Sequence, residues 1–344
     1  MTDLTRFFHP VLGKSALGRD KPMLVQLDGR RIALFRDATG APAAVDDACP
    51  HRAAPLSIGT VKQGRLTCAY HGWNFDAQGC GQSPAQPGLR KCDTTSYQVV
   101  ERWGTLWLAA RDVPPSAFPA LGWDEFRFAG TFHREIDAPL HVVLDNFSED
   151  EHFPTVHSLL GWDAGGQGAI EFSADNLDDR SEVHYRGPQR RHWSLPILAV
   201  KAGDRYFNDW VTRFDPVHAV FSFHWEAPGT GKRRPVQVTT AIFLVPQTEE
   251  RTRLFAFLFL RIDPDSLLRL SYPVVRQVAL LLGKREIEAD ARICAHVRTP
   301  KSLQGLRLGK FDKPVIHNRR LLEHLYFAAP RPPRTAELPV LGAH

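Results

Sequence analysis

The chain has 344 residues, which is enough for two domains and too many for one small core. Its apolar content of 43% is that of an ordinary globular protein, and its net charge of only +5 comes from scattered basic residues, which disfavours nucleic acid as a partner. No run approaches the roughly 18–20 apolar residues that span a bilayer, and the N-terminus lacks a secretory pattern. We therefore expect a cytoplasmic protein with neither a nucleic-acid nor a membrane partner.

The N-terminal part is predicted to consist of short β-strands separated by turns. Residues 23–29, 31–37 and 66–72 have the β-branched and aromatic content of strands and are bounded by Gly and Asp. Residues 95–110 are typical of a closing hairpin that turns near Trp103.

Two short Cys/His pairs lie in this part of the chain, Cys49 with His51 and Cys68 with His71. A Rieske [2Fe–2S] centre needs two thiolates on one iron and two imidazoles on the other, so two tight loops can hold the whole cluster. A zinc site is the alternative, because sulfur and nitrogen ligands also suit zinc. Zinc fingers usually pair Cys with Cys and His with His, so the interleaved order favours the Rieske cluster. Trp73 is expected either to cover the cluster or to be a core aromatic residue.

A proline-rich segment, residues 113–121, separates the two parts of the chain. Such proline density is typical of a linker, and we place the boundary between a domain at 1–115 and a domain at 116–344. The second domain is predicted to begin with a strand near 130–136 and a helix over about 140–152, and polar, glycine-rich loops follow.

Four long strand candidates then suit one antiparallel sheet. They are residues 206–213, 219–225, 236–245 and 252–262. Residues 267–297 are predicted to be mostly helical, with an interruption at Pro273 and a second candidate break at Gly283.

A second constellation lies at the predicted helix of the second domain. Glu149 and His152 are three residues apart and so share a helix face. His157 lies about 140° further round an ideal helix, so the two imidazoles converge only if the helix is distorted, and Pro154 gives a reason for that distortion. Two histidines and one carboxylate form the facial triad that binds mononuclear iron with open positions for dioxygen and substrate.

The carboxylate of the triad can come from far along the chain. Asp290 on the late helix is our choice, and Glu286, four residues earlier on the same face, is the alternative. Asn146 is expected either near the iron or in a structural, helix-capping role. Five apolar residues are weaker candidates for a substrate pocket: Phe153, Leu160, Phe207, Phe221 and Trp225.

Together these motifs resemble those of the Rieske non-haem iron oxygenases, specifically the oxygenase (α) component. The resemblance is specific at residues 49–52, 68–73 and 146–157 and covers most of the chain. It implies an α+β fold with an all-β Rieske domain. The catalytic domain would be an antiparallel sheet wrapped around a long helix, the helix-grip or START-like arrangement.

The resemblance also implies roles for the site residues. The cluster ligands would be Cys49, His51, Cys68 and His71, and the iron ligands would be His152, His157 and a late carboxylate. It further implies a head-to-tail homotrimer, in which Glu149 bridges His71 of one chain to His152 of its neighbour. The family normally has Asp where this chain has Glu149.

We therefore expect an oxygenase component that takes electrons from a reductase or ferredoxin, and indirectly from NAD(P)H. It would use O2 at a mononuclear Fe(II) to hydroxylate or oxidatively dealkylate a small organic substrate, as a monooxygenase. The alternatives are a ring cis-dihydroxylating dioxygenase and a Rieske electron-transfer protein without oxygenase activity. The Glu149, His152 and His157 motif distinguishes these alternatives, because a ferredoxin has no use for it.

Overall fold

The structure, a computed structural model, describes residues 3–90, 92–121, 123–159, 161–162, 170–201 and 203–328. The chain divides into two units, Met1–Ala120 with Val245–Glu249, and Leu121–Leu244 with Glu250–His344. Sheets and helices are both present, so the fold is α+β, as the sequence predicts. Among the described residues, no helix combines the length and the apolar character needed to cross a membrane.

The first unit is built from short β-strands. In chain order they are β1 (His9–Gly13), β2 (Met23–Leu27), β3 (Arg30–Arg36), β4 (Pro42–Asp46), β5 (Thr60–Lys62), β6 (Arg65–Thr67), β7 (Asn74–Phe75), β8 (Gly81–Gln82), β9 (Ser96–Arg102) and β10 (Thr105–Ala110). In the described residues they form a six-stranded sheet, in the order β1-β10-β9-β4-β3-β2, and a four-stranded sheet, in the order β5-β6-β7-β8. The antiparallel pair β9 and β10 confirms the predicted hairpin.

The first Cys/His loop connects the two sheets, and the second lies within the four-stranded sheet. The first loop connects β4 to β5, and the second connects β6 to β7. The strand predicted over residues 66–72 is therefore too long, because β6 ends at Thr67. The chain turns at Gly72, whose φ of +72° is a left-handed conformation that glycine adopts without strain. Cys68 and His71 are consequently held on a tight loop between two paired strands.

The second unit is built on one large sheet. Its strands are β11 (Arg127–Ile136), β12 (Glu171–Asn176), β13 (Arg180–Pro188), β14 (Arg205–Phe214), β15 (Val217–Glu226), β16 (Val236–Thr248) and β17 (Arg251–Ile262). Within the described residues the strand order is β11-β17-β16-β15-β14-β13-β12. The four long strands predicted from the sequence are confirmed, whereas β12 and β13 lie where loops were expected. In β13 the buried and part-buried residues alternate, as in a strand that packs on one face.

Four α-helices of the described chain accompany this sheet: α1 (Leu140–Asn146), α2 (Phe153–Val156), α3 (Tyr272–Cys294) and α4 (Lys313–Leu321). The predicted helix over 140–152 is wrong in length, because α1 ends at Asn146 and Pro154 instead occupies the first turn of α2, where its missing N–H is not needed. The predicted break at Gly283 is also wrong. Helix α3 continues through it, and a Cβ added at Gly283 would lie 3.5 Å from the Leu258 side chain on the sheet, an ordinary contact.

Candidate metal centres

The two Cys/His loops bring their side chains together as two pairs. The Cys49 and Cys68 side chains are both buried, with 3% of each residue exposed, and both belong to the same cluster of buried residues. The rings of His51 and His71 are exposed, and their centroids lie 4.5 Å apart. The loops therefore present two thiols towards the interior and two imidazoles towards the surface.

Backbone and aromatic contacts fix the conformation of these loops. The Cys49 N–H donates to the Ala54 carbonyl at 2.9 Å, and the Cys68 N–H donates to the Trp73 carbonyl at 2.7 Å. The Trp73 ring stacks on His51 with a centroid distance of 4.9 Å and an interplanar angle of 8°. Burial, together with the neighbouring Cys68 thiol, raises the pKa of Cys49.

His152, His157 and Asp290 converge in the second unit, and their ligating atoms all lie within 4.8 Å of one another. His152 directly precedes α2, His157 directly follows it, and Asp290 lies on α3. The two Nε2 atoms are 3.2 Å apart, and the Asp290 Oδ1 atom is 3.4 Å from His152 Nε2 and 3.1 Å from His157 Nε2. Three atoms of this kind, facing one point, form the donor set of a facial triad.

Glu149 holds His152 from the side opposite the triad. Its Oε1 atom lies 2.5 Å from His152 Nδ1, so Nδ1 can donate while Nε2 stays free for a metal. Its Oε2 atom accepts from the backbone N–H groups of Glu151, at 2.5 Å, and of His152, at 3.3 Å. The two side chains therefore meet, but through a turn that Glu149 closes and not through the shared helix face that the spacing predicted.

Two further polar residues contact the triad. Asn146, the last residue of α1, donates from Nδ2 to Asp290 Oδ1 at 3.0 Å. Glu286 Oε2 lies 3.0 Å from His157 Nδ1, and Glu286 Oε1 accepts from the Ser158 hydroxyl at 3.2 Å. Glu286 thus lies on the Nδ1 side of His157 and Asp290 on the Nε2 side, which favours Asp290 as the metal ligand.

The charges in this buried group are strongly coupled. Although burial opposes ionisation, the charge of His157 and hydrogen bonds from both histidines lower the pKa of Asp290 to about 2. Burial also opposes a charge on the histidines, but hydrogen bonds to Asp290 and Glu149 raise the pKa of His152 to about 10. The nearby Asp290 and Glu286 raise the pKa of His157 to about 8. The site therefore attracts positive charge.

A largely apolar cavity adjoins the triad. The space between its walls and mouth is about 900 Å³, part of which is open solvent. Of the predicted pocket residues, Phe153, Phe221 and Trp225 line it, and Leu160 lies outside the described residues.

Phe207 is not among the residues that line the cavity. It alternates with the inward-facing residues of β14, stacks on His224 with a centroid distance of 4.5 Å, and lies under the Arg186 guanidinium. Its prediction as a pocket residue is therefore wrong.

Comparisons with known proteins agree on one family. Residues 7–97 match the Rieske [2Fe-2S] domain. The chain is 43% identical over 277 residues to the 4beta-methylsterol monooxygenase of Methylococcus capsulatus, an alignment that covers 70% of this chain and 66% of that protein. The chain belongs to the Rieske non-haem iron oxygenases.

Other relatives match over smaller parts. The vanillate O-demethylase oxygenase subunit of a Pseudomonas species is 36% identical over 149 residues, which is 40% of this chain and 41% of that protein. The chain spans only 26% to 41% of the length of the first curated relatives it matches. A crystal structure of dicamba monooxygenase bound to 3,6-dichlorosalicylic acid has the same fold, with a TM-score of 0.73 at 20% identity over 95% of this chain and 99% of that one.

The geometry of this chain fits the two groups that the family implies. A Rieske cluster needs one thiolate pair and one imidazole pair, which is how the two loops arrange their side chains. Ligand atoms about 2.1 Å from a metal and at right angles to one another lie about 3 Å apart. The separations of 3.1 to 3.4 Å within the triad are close to that value, so a metal fits with small side-chain movements.

Several residues at this site were not predicted from the sequence. Glu286 was predicted only as an alternative metal ligand, whereas its carboxylate lies next to Nδ1 of His157, on the side of the ring away from the triad. Tyr206 and Asn208 line the cavity and were not singled out. The available signal was the alternation of β14, which places polar residues on its buried face beside Trp210.

Proposed function

We propose that this protein is the oxygenase component of a Rieske system and hydroxylates or oxidatively dealkylates a small organic substrate as a monooxygenase. The observation that carries the proposal is the buried triad of His152, His157 and Asp290 beside an apolar cavity. An electron-transfer protein has no use for either feature. Two of the relatives in the comparisons are themselves named for monooxygenase and O-demethylase activity, which favours these reactions over ring dihydroxylation.

The proposed roles of the site residues follow from their contacts. We assign the cluster to Cys49, His51, Cys68 and His71, and the mononuclear Fe(II) to His152, His157 and Asp290, with Glu286 as the alternative carboxylate. When bound, the iron supplies the activation of O2, and the cluster supplies electrons one at a time.

The remaining residues orient the ligands and exclude water. The Glu149 carboxylate fixes the His152 ring through Nδ1, and Glu286 supports His157 from the corresponding side. Asn146 holds the Asp290 carboxylate by donating to Oδ1. The apolar walls of the cavity keep the substrate end of the site dry, which strengthens each of these polar contacts.

Glu149 is also the proposed route for electrons. It lines the cavity next to the triad and a second pocket on the other side of His152, so it connects the metal site with the outside of the second unit. In a head-to-tail homotrimer, His71 of a neighbouring copy would approach Glu149 at that side. We further propose a reductase or ferredoxin fed by NAD(P)H as the electron donor, a cytoplasmic location, and the division of the chain into domains at 1–115 and 116–344.

Isotopically labelled dioxygen tests the reaction. The full chain, a compatible reductase and ferredoxin, NADH and a panel of methylated apolar substrates should give either a hydroxylated product with one labelled oxygen atom or, where a methyl group is removed, trapped formaldehyde that carries one. Asp290→Ala should abolish the product while the visible spectrum of the cluster persists. Two labelled oxygen atoms in one product would favour the dioxygenase alternative. The absence of label from both the hydroxylated product and the formaldehyde, or the absence of turnover across the panel, would contradict the proposal.

A further inference from the structure

The cavity beside the triad has an unusual distribution of polar groups. Among its described lining residues, the charged groups are those of the metal site: Glu149, Glu286 and Asp290, together with the two histidines. Neither Lys nor Arg lines it in the described part of the chain. Most of the remaining wall is aliphatic or aromatic, so a bound molecule must be mainly apolar.

Two side chains in this apolar wall have hydrogen-bonding atoms without a protein partner. Asn208 is 0% exposed, and neither its Nδ2 nor its Oδ1 atom is paired. Tyr206 is 1% exposed, and its hydroxyl is also unpaired. Buried amide and hydroxyl groups are normally hydrogen-bonded, because an unpaired one loses its solvation without compensation. Such groups in a pocket wall point to a ligand that completes them.

The strand geometry places these two groups side by side. Tyr206 and Asn208 are two residues apart on β14 and therefore share the face that lines the cavity. Their cross-strand partners on β15 are Trp225 and Phe223, which also line it. The Trp225 indole N–H is already used, since it donates to Gln189 Oε1 at 2.6 Å. The phenol and the amide thus form a polar spot on this face of β14, with aromatic residues beside it on β15.

The charge around the cavity decides which polar group can occupy that spot. Glu149, Glu286 and Asp290 carry three formal negative charges against the two of Fe(II), so the site stays negative even when loaded. A buried carboxylate needs a paired cation or several donors. Neither Lys nor Arg is among the described lining residues, and the two histidines are neutral once they hold a metal. An amide that donates and accepts, next to a phenol, is instead complementary to a neutral hydroxyl or keto group.

We infer that the substrate is an uncharged, mainly apolar molecule with one hydroxyl or keto group, which Asn208 and Tyr206 hydrogen-bond to orient the rest of the molecule towards the triad. This inference rests on the proposed function, since it takes the cavity to be the substrate site. Asn208 and Tyr206 act as specificity-determining residues and take no part in the chemistry. A site built to pair a hydroxyl discriminates strongly against an analogue without one, because its own buried groups are then left unpaired.

Binding without turnover tests the inference separately from the reaction. The oxidised holoprotein, without reductant, is titrated calorimetrically with two sets of three probes. One set is a 4β-methylsterol, its hydrocarbon analogue without the hydroxyl, and an analogue with a carboxylate in its place. The other set is 4-methylcyclohexanol, methylcyclohexane and 4-methylcyclohexanecarboxylate. At least one alcohol should bind roughly tenfold to a hundredfold more tightly than its hydrocarbon and its carboxylate.

Matched variants locate the selectivity. Asn208→Leu and Tyr206→Phe should bring the alcohol-to-hydrocarbon affinity ratio close to one. Tyr185→Phe is the control, because Tyr185 is an equally buried phenol on the neighbouring strand β13, with an unpaired hydroxyl, yet it does not line the cavity. That variant should keep the wild-type ratio.

Thermal unfolding excludes a merely structural role for the two residues. Since the Tyr206 hydroxyl and the Asn208 amide have no hydrogen-bond partner in the protein, Tyr206→Phe and Asn208→Leu should unfold at or above the wild-type temperature while losing selectivity. Tighter binding of a carboxylate, failure of both alcohols to bind, or an unchanged ratio in both variants would overturn the inference. Loss of turnover with the selectivity intact would instead overturn the proposed function alone.

Discussion

Replacing Glu286 with Gln tests how the triad is held. Glu286 Oε2 lies 3.0 Å from His157 Nδ1, and its Oε1 accepts from Ser158 at 3.2 Å, so Gln keeps the size and the Ser158 contact but removes the charge behind the imidazole. Partners of this kind typically contribute 10- to 100-fold to metal affinity, which corresponds to about 1.4–2.7 kcal/mol. We expect Glu286→Gln to weaken mononuclear iron binding within that range.

The assay is competition with a graded series of iron chelators, followed by iron analysis of the desalted protein. The visible spectrum of the cluster serves as an internal reference, because the cluster loops belong to the other unit. Asp290→Asn is the matched variant and should remove mononuclear iron altogether. Ser158→Ala should have the smallest effect, since it removes only a contact to Glu286. The reasoning is refuted if Glu286→Gln binds iron like the wild type, or if it loses iron more completely than Asp290→Asn.

Three further predictions address electrons, protons and substrate. Glu149→Gln should keep its iron but slow substrate-dependent oxidation of the reduced cluster about 10- to 100-fold in stopped-flow measurements. Glu149→Asp, which keeps the charge, should be much less affected. Equal rates for the wild type and Glu149→Gln would contradict the bridge role. Because iron binds neutral imidazoles, loading the iron-free chain with iron should release about two protons near pH 7, from His152 and His157, and about one near pH 9. Calorimetry in buffers of different ionisation enthalpy measures the number of protons released. The same number at both pH values would contradict the pKa values of about 10 and about 8. Phe221→Leu should weaken binding of an apolar ligand a few-fold and Phe207→Leu should not, and the reverse order would contradict the assignment of faces on β14 and β15.

The sequence identified those parts of the site whose residues are close together in the chain. Cys49 with His51, and Cys68 with His71, each lie on one loop, so their spacing is a direct record of the local geometry. Strands β14 to β17 were also predictable, because they are long and alternate or concentrate apolar residues.

Contacts between distant parts of the chain were harder to predict from the sequence. The choice between Asp290 and Glu286 depends on which side of His157 each carboxylate reaches, and helical spacing cannot supply that information. The extent of the helix before His152 was misjudged because side chains override the periodicity there. Ser148 donates its hydroxyl to the Leu144 carbonyl at 2.6 Å, and Glu149 accepts two backbone N–H groups, which closes a turn after α1.

The substrate wall is the part that the sequence left open. Tyr206, Asn208 and Phe207 look alike as members of a strand, and only the pairing of β14 with β15 shows which face lines the cavity. Polar residues on the buried face of a strand are the feature of the sequence that indicates a binding site, because unpaired amides and hydroxyls are rare inside proteins.

Iron and acid-labile sulfide analysis of the purified chain tests the central claim most directly. A Rieske cluster and one mononuclear site predict about three irons for every two sulfides, and Asp290→Ala should lower this to about two irons for two sulfides with an unchanged cluster spectrum. About two irons for two sulfides in the wild-type chain, after loading with Fe(II), would contradict the oxygenase assignment and leave an electron-transfer protein.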